Sequence, residues 1–169
     1  EKQPFLLKKI RSMSKDFKSI LKGKVVIVGM GSILRADDGL GPVLANRLCG
    51  EVPAVCIDAG SAPENYTGTI IREAPETILL VDAIHLGREA GAWEILQDSE
   101  ISKSGFTTHD LSPKLFIEYL QANTKARIYL LGVQPKSLEF GEEISQEVQR
   151  TLGSLQQNLK EALTCTNPI

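Results

Sequence analysis

From Gly23 onward, short apolar runs alternate with segments of helical periodicity. Lys24-Val25-Val26-Ile27-Val28-Gly29 is β-branched and apolar on both faces, which predicts a buried strand. A glycine-rich turn follows, and Leu40–Leu48 predicts a helix. Ala54-Val55-Cys56-Ile57 reads as a second strand, Thr69-Ile70-Ile71 as a short one, and Thr77-Ile78-Leu79-Leu80-Val81 as a third strong one. Ala92-Trp93-Glu94-Ile95-Leu96 alternates, as an edge strand does. Pro113–Gln121 predicts a helix capped by Ser112, and Ala126–Val133 another core strand. Ile144, Val148, Leu152, Leu155, Leu159 and Leu163 then mark a long C-terminal helix. Doubly buried strands alternating with helices predict an α/β fold. It should have three layers: a mostly parallel twisted sheet flanked by helices.

Residues 1–23 have a different texture. Leu6, Leu7, Ile10, Met13, Phe17, Ile20 and Leu21 recur at three- and four-residue steps, predicting an extra N-terminal amphipathic helix. Up to Lys24 the segment carries eight basic groups against two acidic ones, while the rest of the chain has a net charge of −8. The stripe is expected to pack on its own domain; a docking role toward an acidic partner or membrane surface is the alternative. The expected organisation is therefore a basic helix (1–23), one α/β domain (24–163) and a frayed tail (164–169). The chain opens on Glu1, and Met13 is a candidate alternative start.

Composition narrows the class. With 169 residues, 42% hydrophobic and a net charge of −2, the chain can bury a core without disulfide staples. The charge balance argues against a dedicated nucleic-acid binder. No apolar run approaches the roughly 20 residues of a membrane span. Phe5-Leu6-Leu7 breaks at Lys8-Lys9, short of a secretory signal. Cys49, Cys56 and Cys165 form no CxxC pair and are expected to be reduced thiols of a cytoplasmic protein, the first two buried as small hydrophobes.

Chemistry in an open α/β sheet belongs beyond the carboxyl ends of the strands. Gly29-x-Gly31 follows the first strand, but Leu34 stands where a dinucleotide fingerprint needs its third glycine, and Asp37-Asp38 would repel a phosphate. There is no GxxxxGK[ST] or GxSxG, and Ser32 and Ser61 have no evident base. What recurs at the strand ends is carboxylate plus imidazole: Asp38, Asp58, Asp82 and His109. Asp38, Asp82 and His109 could converge on a borderline divalent ion such as nickel, zinc or iron. On spacing alone plainer roles take precedence: Asp38 as a helix cap, Asp82 as a turn acceptor, His109 as a loop histidine and His85 as a surface one.

Five separated segments now give a more specific reading. Gly29-Met30-Gly31-Ser32-Ile33-Leu34-Arg35-Ala36-Asp37-Asp38-Gly39-Leu40-Gly41 resembles the opening motif of the [NiFe]-hydrogenase maturation endopeptidases. Asp58-Ala59-Gly60-Ser61-Ala62-Pro63-Glu64-Asn65 is similar to their second motif, and Leu79-Leu80-Val81-Asp82-Ala83 and Thr107-Thr108-His109-Asp110-Leu111 to the third and fourth. Leu131-Gly132-Val133-Gln134-Pro135 matches a further segment. The wording is most similar to the branch serving hydrogenase 3-type and related archaeal enzymes, and the likeness runs in order from about Lys24 to Leu163.

The resemblance implies a twisted sheet between helices. It also implies removal of a C-terminal extension from the hydrogenase large-subunit precursor after nickel insertion. It maps the metal-contacting, catalytic positions onto Asp38, Asp82 and His109, and gives Asp58 a substrate-orienting role. The nickel arrives with the substrate, so no tightly bound cofactor is expected in the resting protein. Two departures are mild: Asp rather than Glu at position 38, and Ala59 where many relatives have Gly. The segment before Lys24 lies outside the resemblance. A non-catalytic nickel-site checkpoint or chaperone using the same three residues, and a nucleotide-binding α/β protein, are the alternatives.

Overall fold

A computed structural model describes residues 17–97, 100–101 and 113–165. Five strands form one sheet: β1 (Val25–Met30), β2 (Val55–Gly60), β3 (Thr77–Ala83), β4 (Trp93–Gln97) and β5 (Arg127–Val133). Their order is β2-β1-β3-β5-β4. β1, β2, β3 and β5 run parallel, and β4 pairs antiparallel with β5 at the edge. The helices are α1 (Leu40–Leu48), α2 (Thr67–Arg72), α3 (Pro113–Asn123) and α4 (Gln146–Thr164). Short 3-10 turns, Ala36–Gly39 and Pro63–Tyr66, precede α1 and α2.

β1 and β3 are buried at every position, as the unbroken apolar runs require. Alternate residues feed two cores. Ile27, Leu79, Val81 and Leu131 pack with Leu40, Leu44 and Leu48 of α1 and with the apolar stripe of α4. Val26, Val28, Ile78 and Leu80 pack with Ile70 of α2 and Phe116, Ile117 and Leu120 of α3. The sheet is thus the middle of three layers, as expected. From β1 the chain turns outward to β2, then returns to the other side for β3. The strand order therefore reverses between β1 and β3, the switch point where α/β proteins open a crevice.

Within residues 1–23, the described portion begins at Phe17. Residues 17–20 are helical, and Phe17 and Leu21 are buried in the α1/α4 core. Phe17 stacks on Trp93 with ring centroids 5.5 Å apart. The stripe positions from Leu6 to Met13 lie outside the described residues.

Two expectations are corrected. Thr69–Ile71 belongs to α2, not to a strand: the Pro63–Tyr66 turn runs straight into it, and only Ile70 of α2 is buried. A single inward residue in six is what a short surface helix needs. Cys49 and Cys56 are also less buried than expected. Cys49 closes α1 and is exposed, Cys56 on edge strand β2 is half-buried, and Cys165 is exposed. An edge strand lacks the second neighbour that would cover it. Among the described residues, no helix is long and apolar enough to cross a membrane.

Because Phe17 is fully buried against Trp93, Phe17→Ala is expected to destabilise the fold by roughly 3–5 kcal/mol. Denaturant unfolding followed by the emission of Trp93, the chain's single tryptophan, reads both the loss and the changed ring environment. An unaltered midpoint would show that this segment does not anchor the domain.

Candidate active site

Two loops meet at the switch point, one after β1 and one after β3. The first is drawn tight by close approach. Gly29 lies under the start of α1, where a Cβ would collide with the Gly41 carbonyl. A Cβ at Gly41 would in turn strike the Met30 carbonyl. The helix can sit this low over β1 and β3 only because both positions lack side chains. Gly31 has φ +121°, and a Cβ there would collide with the Asp38 carbonyl. The backbone of the loop folds back on itself, and the Ser32 N–H donates to Asp38 Oδ2 at 2.7 Å.

The two neighbouring aspartates do different work. Asp37 is fully buried. Its Oδ1 accepts from the Ser145 N–H at 2.7 Å, and its Oδ2 from the Lys136 N–H at 2.7 Å, the Ser145 hydroxyl at 3.0 Å and the Ser137 N–H at 3.3 Å. Ser145 is also the N-cap of α4, accepting from the Val148 N–H. Asp37 therefore pins the first loop to the β5–α4 connection. Asp38 points the other way and is only partly buried. It does not cap α1, whose N-cap is Gly39 with no side-chain bond.

Asp82 ends the row Ile78, Leu80, Asp82 on the α2/α3 face of β3. It is 9% exposed. Ile84 lies across Gly132, the β5 residue in register with Asp82, and helps shut water out. Burial pushes the Asp82 carboxyl up to about 8. The neighbouring Asp38 charge adds to the rise, and a hydrogen bond from the Ala83 backbone opposes it. Two carboxyl groups thus lie close enough to interact at the switch point, one of them holding its proton near neutral pH. A divalent cation between them would relieve both the repulsion and the desolvation, so the donor set suits one.

Asp58 stands elsewhere. In register with Gly29 and Val81, it projects from the α1/α4 face, opposite to Asp82. Its Oδ2 accepts from Asn46 Nδ2 of α1 at 3.0 Å and its Oδ1 from the Gly60 N–H at 3.1 Å. His109 and Ser112 lie outside the described residues. His85 is exposed, with Nδ1 3.5 Å from Gln134 Nε2. The structure therefore brings Asp38 and Asp82 together and leaves Asp58 apart.

Two contributors were not singled out from the sequence. Asp37 was read only as part of a loop, and nothing in an acidic doublet tells which of its two carboxylates turns inward. Gln134 is 8% exposed and accepts from the Leu86 N–H at 2.6 Å, holding the loop that follows β3. Its position directly after a core strand was the available signal.

Fold and site together define a doubly wound α/β protein with a coupled pair of acids at its topological switch point. The family model of hydrogenase maturation proteases, HycI, matches residues 44–162. The hydrogenase 3 maturation protease of Escherichia coli (strain K12) is 31% identical over 139 residues, spanning 80% of this chain and 88% of that protein. A crystal structure of a [NiFe] hydrogenase maturation protease HycI from Thermococcus kodakarensis KOD1 superposes with TM-score 0.81 at 30% identity. That match covers 88% of this chain and 99% of the archaeal one. The solution structure of an endopeptidase HycI from Escherichia coli gives TM-score 0.73 at 29% identity, covering 82% and 90%. This chain belongs to the hydrogenase maturation protease family.

Two predictions follow from this geometry. Asp37→Ala leaves several buried donors without an acceptor and is expected to cost at least about 3 kcal/mol in denaturant unfolding; a loss under about 1 kcal/mol would show that the loops hold without it. For Asp82, the unfolded carboxyl ionises near its ordinary 3.8, whereas the folded one keeps its proton up to about 8. This group's contribution to stability therefore falls as pH rises through that window. Asp82→Asn removes the fall, so the variant's Tm advantage over the native protein should widen from about pH 5 to about pH 8. Parallel melting curves at the two pH values would contradict the assignment.

Proposed function

We propose that this protein cleaves the precursor of a [NiFe]-hydrogenase large subunit, releasing a C-terminal extension once nickel is in place. The observation that carries the reading is the Asp38–Asp82 pair, coupled at the switch point of a chain from the maturation protease family. Resemblance supplies His109 as the third member. Nickel, held by the precursor's own thiolates, is substrate here and no resident cofactor is required. As a divalent Lewis acid it can polarise a scissile carbonyl or acidify a water.

The chain's own groups then have definite tasks. Asp38 is oriented by the Ser32 N–H and presents its carboxyl outward. Asp82 gives up its proton as the cation approaches, because the positive charge reverses the balance that burial had set. His109 adds an imidazole nitrogen, a ligand type suited to nickel. Hydrolysis adds one water across the peptide bond, leaving a new C-terminal carboxylate and a released amine. Asp58, tied to Asn46 beside α1, steadies the flank of the loop cluster against which substrate is oriented. A cytoplasmic place of action fits the free thiols Cys49, Cys56 and Cys165 of this chain.

Intact-mass measurement of a large-subunit precursor, with and without nickel, tests this directly. Loss of a C-terminal peptide from the nickel-loaded form alone is the expected result. His109→Ala should abolish that loss while leaving the circular dichroism spectrum unchanged. Stable complex formation with no change of mass would instead assign the protein as a checkpoint that binds and does not cut.

A further inference from the structure

Next to the acidic pair, the surface is unexpectedly apolar. Ile33 and Leu34 are 67% and 58% exposed, and Phe140 is 75% exposed. They belong to two loops that the structure joins firmly. The Gly141 N–H donates to the Leu34 carbonyl at 2.8 Å, and Arg35 Nε donates to the Leu138 carbonyl at 3.3 Å. The Asp37 carboxylate binds the same two loops from beneath. Three large apolar side chains are therefore held out into water on a braced support, at a cost in solvation that nothing in the described fold recovers. Exposed Arg35, Glu139 and Glu142 border them, giving an apolar centre with a charged rim.

We infer that Ile33, Leu34 and Phe140 form a docking ridge for the folded hydrogenase precursor. The inference rests on the peptidase reading above and names how that site selects its protein substrate. The occupant follows from continuity and shape. Ile33 and Leu34 belong to the short loop that the Ser32 N–H closes onto the Asp38 carboxylate, so the exposed apolar surface is continuous in the chain with the acid that the substrate must reach. Side chains exposed to this degree stand out from the braced loops rather than lining a groove, and such a ridge is complementary to an apolar groove on a folded partner. An extended peptide prefers the opposite arrangement, a groove on the enzyme. The ridge thus reads the body of the precursor while the acids read its metal.

The test uses the full protein and its cognate nickel-loaded large-subunit precursor, reading Kd by titration and processing by intact mass. Ile33 is left unchanged, because its backbone packs against Gly39. Leu34→Ser/Phe140→Ser is expected to raise Kd and KM by about tenfold or more, with kcat and Tm little changed. The single variant Leu34→Lys, fully tolerable on an exposed side chain, should show the same direction. Kd and KM within twofold of the native protein in both variants overturn the ridge. If the native protein binds the precursor without shortening it, the peptidase reading falls and Kd alone judges the ridge. If it neither binds nor cleaves, both readings fall.

Discussion

The architecture of the working end depends on one buried carboxylate. Asp37 accepts four hydrogen bonds from three residues of a connection about a hundred positions away in sequence. Each bond to a charged group contributes about 1.5–3 kcal/mol in favourable settings. Desolvation of the carboxylate offsets much of that gain, so the benefit lies less in net stability than in geometry. With Asp37 fixed inward, chain stereochemistry turns its neighbour Asp38 outward. The same interaction seats the N-terminus of α4 through Ser145 and sets the height of the loop that carries Phe140.

That rigidity has a purpose visible in the energetics of Asp82. An acid buried beside another acid is a standing cost to the fold, and packing around β3 must offset it. Such arrangements persist where the strained state serves chemistry rather than stability. The pair is polarised: Asp38 is partly exposed and oriented by the Ser32 N–H, while Asp82 is buried and holds its proton near neutral pH. A cation delivered by another molecule would complete it.

How far the sequence disclosed this depended on the kind of information involved. The strands β1, β3 and β5 were plain because full burial on two faces leaves an unmistakable apolar run. Asp38 and Asp82 were reachable because they sit at strand ends, where the topology concentrates function. The Thr69–Ile71 segment misled because three β-branched residues carry a strand preference that tertiary packing overrides in so short a helix. Asp37 was hidden for a deeper reason. Its partners are mostly backbone N–H groups, which leave no mark on residue identity, and they come from residues 136–145, whose proximity only the folded topology supplies. Asp58 was grouped with the other acids by its position after a strand, yet the pleat sends it to the opposite face.

In the proposed reading, metal recognition and protein recognition share one loop, and this has a consequence for selectivity. Asp38 and the exposed pair Ile33 and Leu34 lie within six residues of chain, braced by common contacts. In the proposed reading, neither surface can engage fully unless the other does. A free nickel complex satisfies the acids but offers no groove; a precursor without nickel offers the groove but leaves Asp82 protonated, so the pair presents one anionic ligand in place of two. Binding terms that must be met together multiply as discriminating factors, whereas separable ones can be satisfied one at a time by a wrong partner. A hydrolytic cut cannot be reversed by the protein that makes it, so the decision has to be taken at docking, and a single rigid loop is a physically economical place to take it.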